Sequence, residues 1–175
     1  MKKTTKYFMA TIMMMSTLCF VACSKDDDKK TDESTQPATA SATFDILYMG
    51  RELEPFQTVY FNLTASEVET DDVEVSLYVK NKANTTMQRV FKVELVEGPT
   101  SMAIDAPICY GVCEPHNLPY TSNAVDLAPG IDENPIQIHL YPSFHESAHT
   151  GTYKVTVGKG ADLEDPQVCF VKFTW

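Results

Sequence analysis

The segment His145-Glu146-Ser147-Ala148-His149 matches H-E-x-x-H. On a helix, histidines four residues apart share one face and bind zinc, while the glutamate polarises the attacking water. On that reading the chain is a zinc-dependent hydrolase with His145 and His149 as ligands and Glu146 as general base. Its surroundings argue against this. Pro142 and Ser143 precede the motif, Thr150-Gly151-Thr152 follow it, and strand-like segments flank both, leaving room for barely more than one helical turn. No histidine follows His149, so only Glu164 or Asp165 remains as a third ligand. A milder version of the chemistry is a non-catalytic cation site. His139 alternates with Ile138 and Leu140, which places it on the solvent face beside this insertion, within reach of His145, Glu146 and His149. The simplest expectation is a solvated loop whose histidines titrate near neutral pH, so no catalytic residue and no metal are assigned.

Chemistry of another kind is written into the first residues. Lys2, Lys3 and Lys6 form a positive n-region, and an uncharged run from Tyr7 to Ala22 forms an apolar h-region, the pattern of a secretory signal. That run is shorter than the roughly 20 residues a membrane-spanning helix needs. Ala22-Cys23 followed by Ser24 and Lys25 resembles the bacterial lipobox, in which the signal is cut before a cysteine that then carries lipid. The resemblance implies a signal peptide over residues 1–22 and a membrane anchor through lipid on Cys23. The acidic run Asp26-Asp27-Asp28 resembles the export signal of surface lipoproteins in Bacteroidota, which implies a place on the outer face of the outer membrane. Residues 23–41, rich in Ser, Thr, Asp and Lys, read as a disordered tether, and residues 42–175 as one domain.

In an exported chain the compartment is oxidising, so Cys109 and Cys113, four residues apart, are expected as a disulfide rather than a metal pair. A zinc ribbon needs a second pair of ligands, and only Cys169 remains in the domain. A thioredoxin-like redox pair has two intervening residues and leads from a strand into a helix, and neither holds. So small a loop does little for global stability; its role is to fix one bulge or turn, with Gly111 permitting the backbone angles that closure demands. Pro107 is read as interrupting the preceding strand. Cys169 keeps phase with Val171 and Phe173, the position of a buried thiol.

Charge removes whole classes of partner. Three of the 14 basic residues lie in the leader, which holds no acid, so the remainder carries 11 basic against 24 acidic side chains, a formal charge of −13. Phosphate backbones require clustered Lys and Arg, so nucleic acid is excluded as a partner. There is no P-loop, no G-x-G-x-x-G, no G-x-S-x-G and no calcium loop, and no cofactor is expected.

The elements that must position these residues are strands. Apolar residues recur with period two at Val59-Phe61-Leu63, Val73-Val75-Leu77-Val79, Phe91-Val93-Leu95, Ile136-Ile138-Leu140, Tyr153-Val155-Val157 and Cys169-Val171-Phe173. Weaker strands are expected at Phe44–Tyr48, Met102–Asp105 and Ala124–Leu127. Turns are expected at Asp71-Asp72, Asn81–Asn84, Glu97-Gly98-Pro99, Pro129-Gly130, Gly158-Lys159-Gly160 and Asp165-Pro166. Eight or nine short strands with alternating faces predict an all-β fold, an immunoglobulin-like antiparallel β-sandwich, with a closed barrel as the second choice.

The series from Ile104 to Trp175 is similar to the small β-sandwich modules of secreted and surface lipoproteins of Bacteroidota. It consists of a Cys-aromatic-Gly-x-Cys element at Cys109–Cys113, the continuation Glu114-Pro115-His116-Asn117-Leu118-Pro119, a Pro-Gly turn, a strand closing on Tyr141-Pro142, and a last strand at the terminus. The resemblance implies the sandwich and the Cys109–Cys113 bridge and supplies no catalytic residues; the segment Phe144–Thr150 is where this sequence departs from it most. The resulting expectation is an outer-membrane surface lipoprotein acting as a non-catalytic binding, adhesion or accessory module for a protein or glycan ligand. The zinc hydrolase and an inhibitor of a secreted protease are the alternatives. Contact is expected at the end of the sandwich carrying the bridge and the Glu114–Tyr120 loop.

Overall fold

Period-two alternation produces two sheets that close their apolar faces on each other. The computed structural model describes residues 40–64, 67–68, 72–142 and 150–175. Cys23, Asp26, Asp27, Asp28, His145, Glu146 and His149 lie outside the described residues. In chain order the strands are β1 (Phe44–Tyr48), β2 (Arg51–Glu52), β3 (Gln57–Asn62), β4 (Val73–Asn81), β5 (Met87–Glu97) and β6 (Ala106–Tyr110). They continue as β7 (Val112–His116), β8 (Tyr120–Thr121), β9 (Val125–Leu127), β10 (Gly130–Ile131), β11 (Ile136–Leu140), β12 (Thr150–Lys159) and β13 (Glu164–Thr174). One sheet has the order β2-β1-β4-β11-β6-β7, with β10 also on β4; the other has the order β3-β13-β12-β5-β8, with β9 also on β5. This is the immunoglobulin-like sandwich expected from the alternation, with extra strands of two or three residues at its margins.

Between the sheets lie Phe44, Ile46, Val75, Leu77, Val79, Ile136, Ile138 and Leu140 from one side and Phe91, Val93, Tyr153, Val155, Val157, Val171 and Phe173 from the other, all buried. Each such side chain contributes roughly 1.5–3 kcal/mol of transfer free energy. Phe61 stacks on Phe173 at 5.2 Å, and Tyr153 meets the same ring edge-on at 6.0 Å, so an aromatic column closes one end of the core. Tyr60, by contrast, is exposed.

Four local readings are corrected. Met102–Asp105 is not a strand: a short 3-10 turn spans Thr100–Ala103, buries Met102, and yields to β6 only at Ala106. Pro99 begins that turn and Gly98, at φ +126°, supplies the bend before it. Pro107 does not interrupt its strand but sits inside β6, opposite Pro115 of β7. Asp165-Pro166 is not a turn; the reversal runs from Gly160 to Leu163, closed by the Leu163 N–H donating to the Gly160 carbonyl at 3.1 Å. Asp165, at φ +48°, and Pro166 occupy a bulge where β13 carries one more residue than β12. Pro166 is tolerated there because the pairing with β3 starts only at Cys169. Finally, the sheets are not wholly antiparallel: β3 runs parallel to β13, from Gln57 beside Cys169 to Asn62 beside Thr174.

The bulge also secures the start of the domain. The Asp165 carboxylate accepts hydrogen bonds from the Ser41 hydroxyl and from the Ala42 and Thr43 N–H groups at 2.8–3.1 Å. The Ser41 N–H donates to Gln167 Oε1 at 3.1 Å, and Lys82 Nζ donates to the Ser41 carbonyl at 2.7 Å. Ser41 is thereby buried.

Candidate functional site

The sheets part at one edge, where β7 of one and β8 and β9 of the other have no further strand beside them among the described residues. The β6–β7 hairpin that forms one wall turns on a single residue, Gly111 at φ +71°, with Tyr110 opposite Val112 and Cys109 opposite Cys113. Glycine, having no Cβ, takes that left-handed backbone conformation most readily. Cys109 and Cys113 are bonded, with their Cα atoms 4.0 Å apart. The bridge thus pins a hairpin tip. Residues of the hairpin alternate between two faces, and each face carries its own chemistry.

The inner face, with Ile108, Tyr110, Val112, Glu114 and His116, looks across at Tyr120, Asn123 and Val125 and encloses a cleft of about 230 Å³. Phe91 forms its floor and meets Tyr110 and Tyr120 edge-on, at 6.1 and 5.9 Å between ring centroids. His116 stacks on Tyr120 at 3.7 Å with the ring planes 17° apart. Burial raises the Tyr120 phenol above its usual range, and the nearby Glu114 charge adds to it. Burial likewise raises Tyr110, helped by its hydroxyl donating to Asp132 Oδ2 at 2.7 Å. Both phenols therefore stay protonated at physiological pH. The cleft offers aromatic faces, the hydroxyls of Tyr110, Tyr120 and Ser122, the Asn123 amide and one rim carboxylate, a set suited to holding a small group.

Behind Tyr110 lies a charge that the sequence reading missed. Arg89 is completely buried, with its guanidinium 4.3 Å from the centre of the Tyr110 ring and 5.4 Å from that of Phe91. Its Nη2 is 3.5 Å from Asp132 Oδ2, a charge contact too long for a hydrogen bond, and no guanidinium nitrogen has a hydrogen-bond partner among the described residues. The sign of it was available: Arg89 stands two residues before Phe91 and four before Val93, in the phase that points inward.

On the outer face lies the disulfide. His139 reaches it from β11, as its alternation with Ile138 and Leu140 requires. Its Nδ1 is 2.8 Å from Asp72 Oδ1 and its Nε2 is 4.0 Å from Cys113 Sγ. Among the described residues, then, the partners of His139 are Asp72 and a cysteine; the other members of the expected cation site, His145, Glu146 and His149, lie outside them. Cys169 is buried with no bridge, and burial pushes its thiol up to about 12.

No family model and no curated relative matches the chain. Among solved structures it is similar to the N-terminal domain of PorA, with a TM-score of 0.55 and 18% identity over 75% of this chain and 96% of that one. Weaker likenesses are to the CooA pilin subunit from enterotoxigenic Escherichia coli, with a TM-score of 0.39 and 12% identity over 75% and 97% of the two chains. A third is to an ASH / PapD-like domain of human CEP192, with a TM-score of 0.38 and 11% identity over 84% and 93%. At 18% identity the likeness to the PorA domain bears on the fold alone, the immunoglobulin-like sandwich formed by the two packed sheets.

Proposed function

We propose that this chain is a lipid-anchored binding module of the outer-membrane surface, and that its ligand seats a small protruding group in the cleft between β7 and β8. The observation that carries the reading is the cleft itself: aromatic and polar groups converge at a sandwich edge on a hairpin locked by a disulfide. A pre-formed hairpin loses little conformational freedom on binding, which favours affinity. At about 230 Å³ the cleft is smaller than the roughly 300–1,000 Å³ of small-molecule sites, so it suits one sugar ring or one side chain of a larger partner. Packing against the stacked His116 and Tyr120 rings and acceptance of a hydrogen bond or positive charge by Glu114 are the contacts available.

The test is an amide NMR titration with N-acetylglucosamine, mannose and short lysine- or tyrosine-containing peptides. Saturable shifts confined to the cleft residues, and abolished in Tyr120→Ala, are expected. No shift at the cleft with any probe, or shifts unchanged in Tyr120→Ala, would overturn the assignment. The anchor and address are tested separately. Cys23→Ser is expected to release the protein from membranes or leave it uncleaved, and replacing Asp26, Asp27 and Asp28 by Ala is expected to remove protection-free exposure to protease added to intact cells. Glu146→Gln is expected to leave binding intact; peptidase activity that copurifies with zinc and disappears in that variant would restore the hydrolase alternative.

A further inference from the structure

The outer face of the hairpin holds a grouping that the sequence disperses over three segments: Cys109, Cys113 and His139, with Asp72 behind the histidine. We propose that on reduction of the Cys109–Cys113 bond these three side chains form a Cys2His site for zinc, oriented by Asp72, so that the hairpin tip is closed either by the disulfide or by the metal. The inference is independent of the cleft on the inner face.

Three observations carry it. First, the ligand atoms of Cys109, Cys113 and His139 lie within 4.8 Å of one another. In a tetrahedral site with Zn–S of about 2.3 Å and Zn–N of about 2.0 Å, sulfur and nitrogen ligands stand about 3.5 Å apart and two sulfurs about 3.8 Å. The Cys113 Sγ to His139 Nε2 separation of 4.0 Å is already close to that. The sulfurs, once unbonded, need only side-chain rotation on directly opposed residues. Second, the histidine is prepared. Nδ1 meets the Asp72 carboxylate at 2.8 Å, and an Nδ1–H donated there leaves the Nε2 lone pair facing the sulfurs. That is the carboxylate–histidine arrangement that holds zinc-binding imidazoles in place. Third, the backbone is fixed independently of the disulfide: β11 pairs with β4 along Ile136–Leu140 and with β6 at Gln137 and Ile138, so His139 stays over β6 when the bond is open. The third ligand that a cysteine pair alone lacks is thus supplied by the neighbouring strand, and a fourth position faces solvent beside the exposed Cys113.

Opening the site takes two electrons from a dithiol. Its thiolate attacks Cys113 Sγ, since Cys109 is wholly buried. The Sγ–Sγ bond breaks with its electron pair leaving on Cys109 Sγ, and the second thiolate of the reductant then displaces Cys113 Sγ from the mixed disulfide. The reductant ends as a disulfide, the protein as two thiols, and zinc binds with loss of the two thiol protons.

The experiment uses the full chain with Cys19→Ser and Cys23→Ser, which remove the two cysteines that precede the domain, reduced with a phosphine that does not chelate metal, and titrated with Co2+ and then Zn2+. One equivalent of cobalt with thiolate-to-metal charge-transfer and tetrahedral d–d bands is expected, displaced by one equivalent of zinc and absent from the oxidised protein. His139→Ala and Asp72→Asn should each weaken binding by about 10–100-fold while circular dichroism shows the same β-sheet. Cys169→Ser should bind as the parent does. The proposal is overturned by reduced protein that shows no charge-transfer band or loses its β-sheet signal, or by unchanged affinity in His139→Ala.

Discussion

Asp132→Asn should destabilise this domain far more than the loss of one surface charge would. Arg89 is fully buried, and Asp132, 7% exposed, is the acid in contact with it, at 3.5 Å. A buried guanidinium costs several kcal/mol to desolvate, and stacking on Tyr110 at 4.3 Å returns about 2 kcal/mol. The carboxylate has to supply the rest. Removing its charge while keeping its shape should therefore cost about 3–5 kcal/mol, the range for breaking a buried pair from one side. For a domain of this size that lowers the melting temperature by roughly 10 °C or more. Arg89→Met should cost less, because Asp132 keeps the Tyr110 hydroxyl at 2.7 Å and the Asn134 N–H at 3.0 Å. The double variant Arg89→Met/Asp132→Asn should recover to within about 1 kcal/mol of the parent, since a pair replaced on both sides leaves no orphaned charge. Urea melts of the four proteins close the cycle. If Asp132→Asn alone were within about 1 kcal/mol of the parent, or the double variant were worse than either single one, the account of Arg89 would be wrong.

Gly158→Ala should cost about 1–3 kcal/mol by urea melt, because the added Cβ would lie 2.7 Å from backbone atoms of Leu163, which cannot rotate away; a neutral effect would show that the β12–β13 connection yields easily. Cys169 should resist alkylation at pH 8 in the folded protein and react once urea unfolds it, since burial raises its thiol to about 12; rapid labelling of the native state would contradict the packing of β13. Hydrogen bonds and charges from Lys80, Lys92 and Lys172 hold the carboxyls of Glu52, Glu94 and Glu97 respectively below their ordinary 4.5. Their contribution is therefore complete at neutral pH and lost as pH falls from 4.5 through the lowered values, so the urea midpoint should drop over that interval; a midpoint that rises there would reverse the sign.

The sandwich was legible because alternation is a local property. Val75, Leu77 and Val79 announce a buried face whatever they pack against, and so do Ile136, Ile138 and Leu140. What alternation does not encode is the partner of each strand, and the parallel pairing of β3 with β13 depends on contacts more than a hundred residues apart. The strand expected at Met102–Asp105 failed because the alternate apolar pair Met102 and Ile104 reads as a strand, whereas only Met102 is buried and Ile104 is exposed, Gly98 and Pro99 having already bent the chain. Asp165-Pro166 misled for the opposite reason: a turn-forming pair is equally at home in a bulge. The cleft was half visible. Its Cys109–Tyr120 wall could be named from the cysteine element and the proline-rich run, but Phe91 and Val125 come from strands whose adjacency no local pattern states. His139 was rightly assigned to an outer face, whereas the distance from Asp72 to Cys113 across it is a product of three strands in register.

The clamp at Asp165 has a mechanical meaning. If the chain is anchored through Cys23 and loaded by a partner, as proposed above, tension enters the domain at Ser41, and the first bonds it meets there are not the β1–β4 ladder. They are the hydrogen bonds from Ser41, Ala42 and Thr43 to one carboxylate on β13, backed by Gln167 and Lys82. These lie side by side at one point, so they share the force and must fail together before β1 is peeled. Because Asp165 belongs to β13, whose other end pairs with β3, the pull is passed directly into the second sheet between β3 and β12.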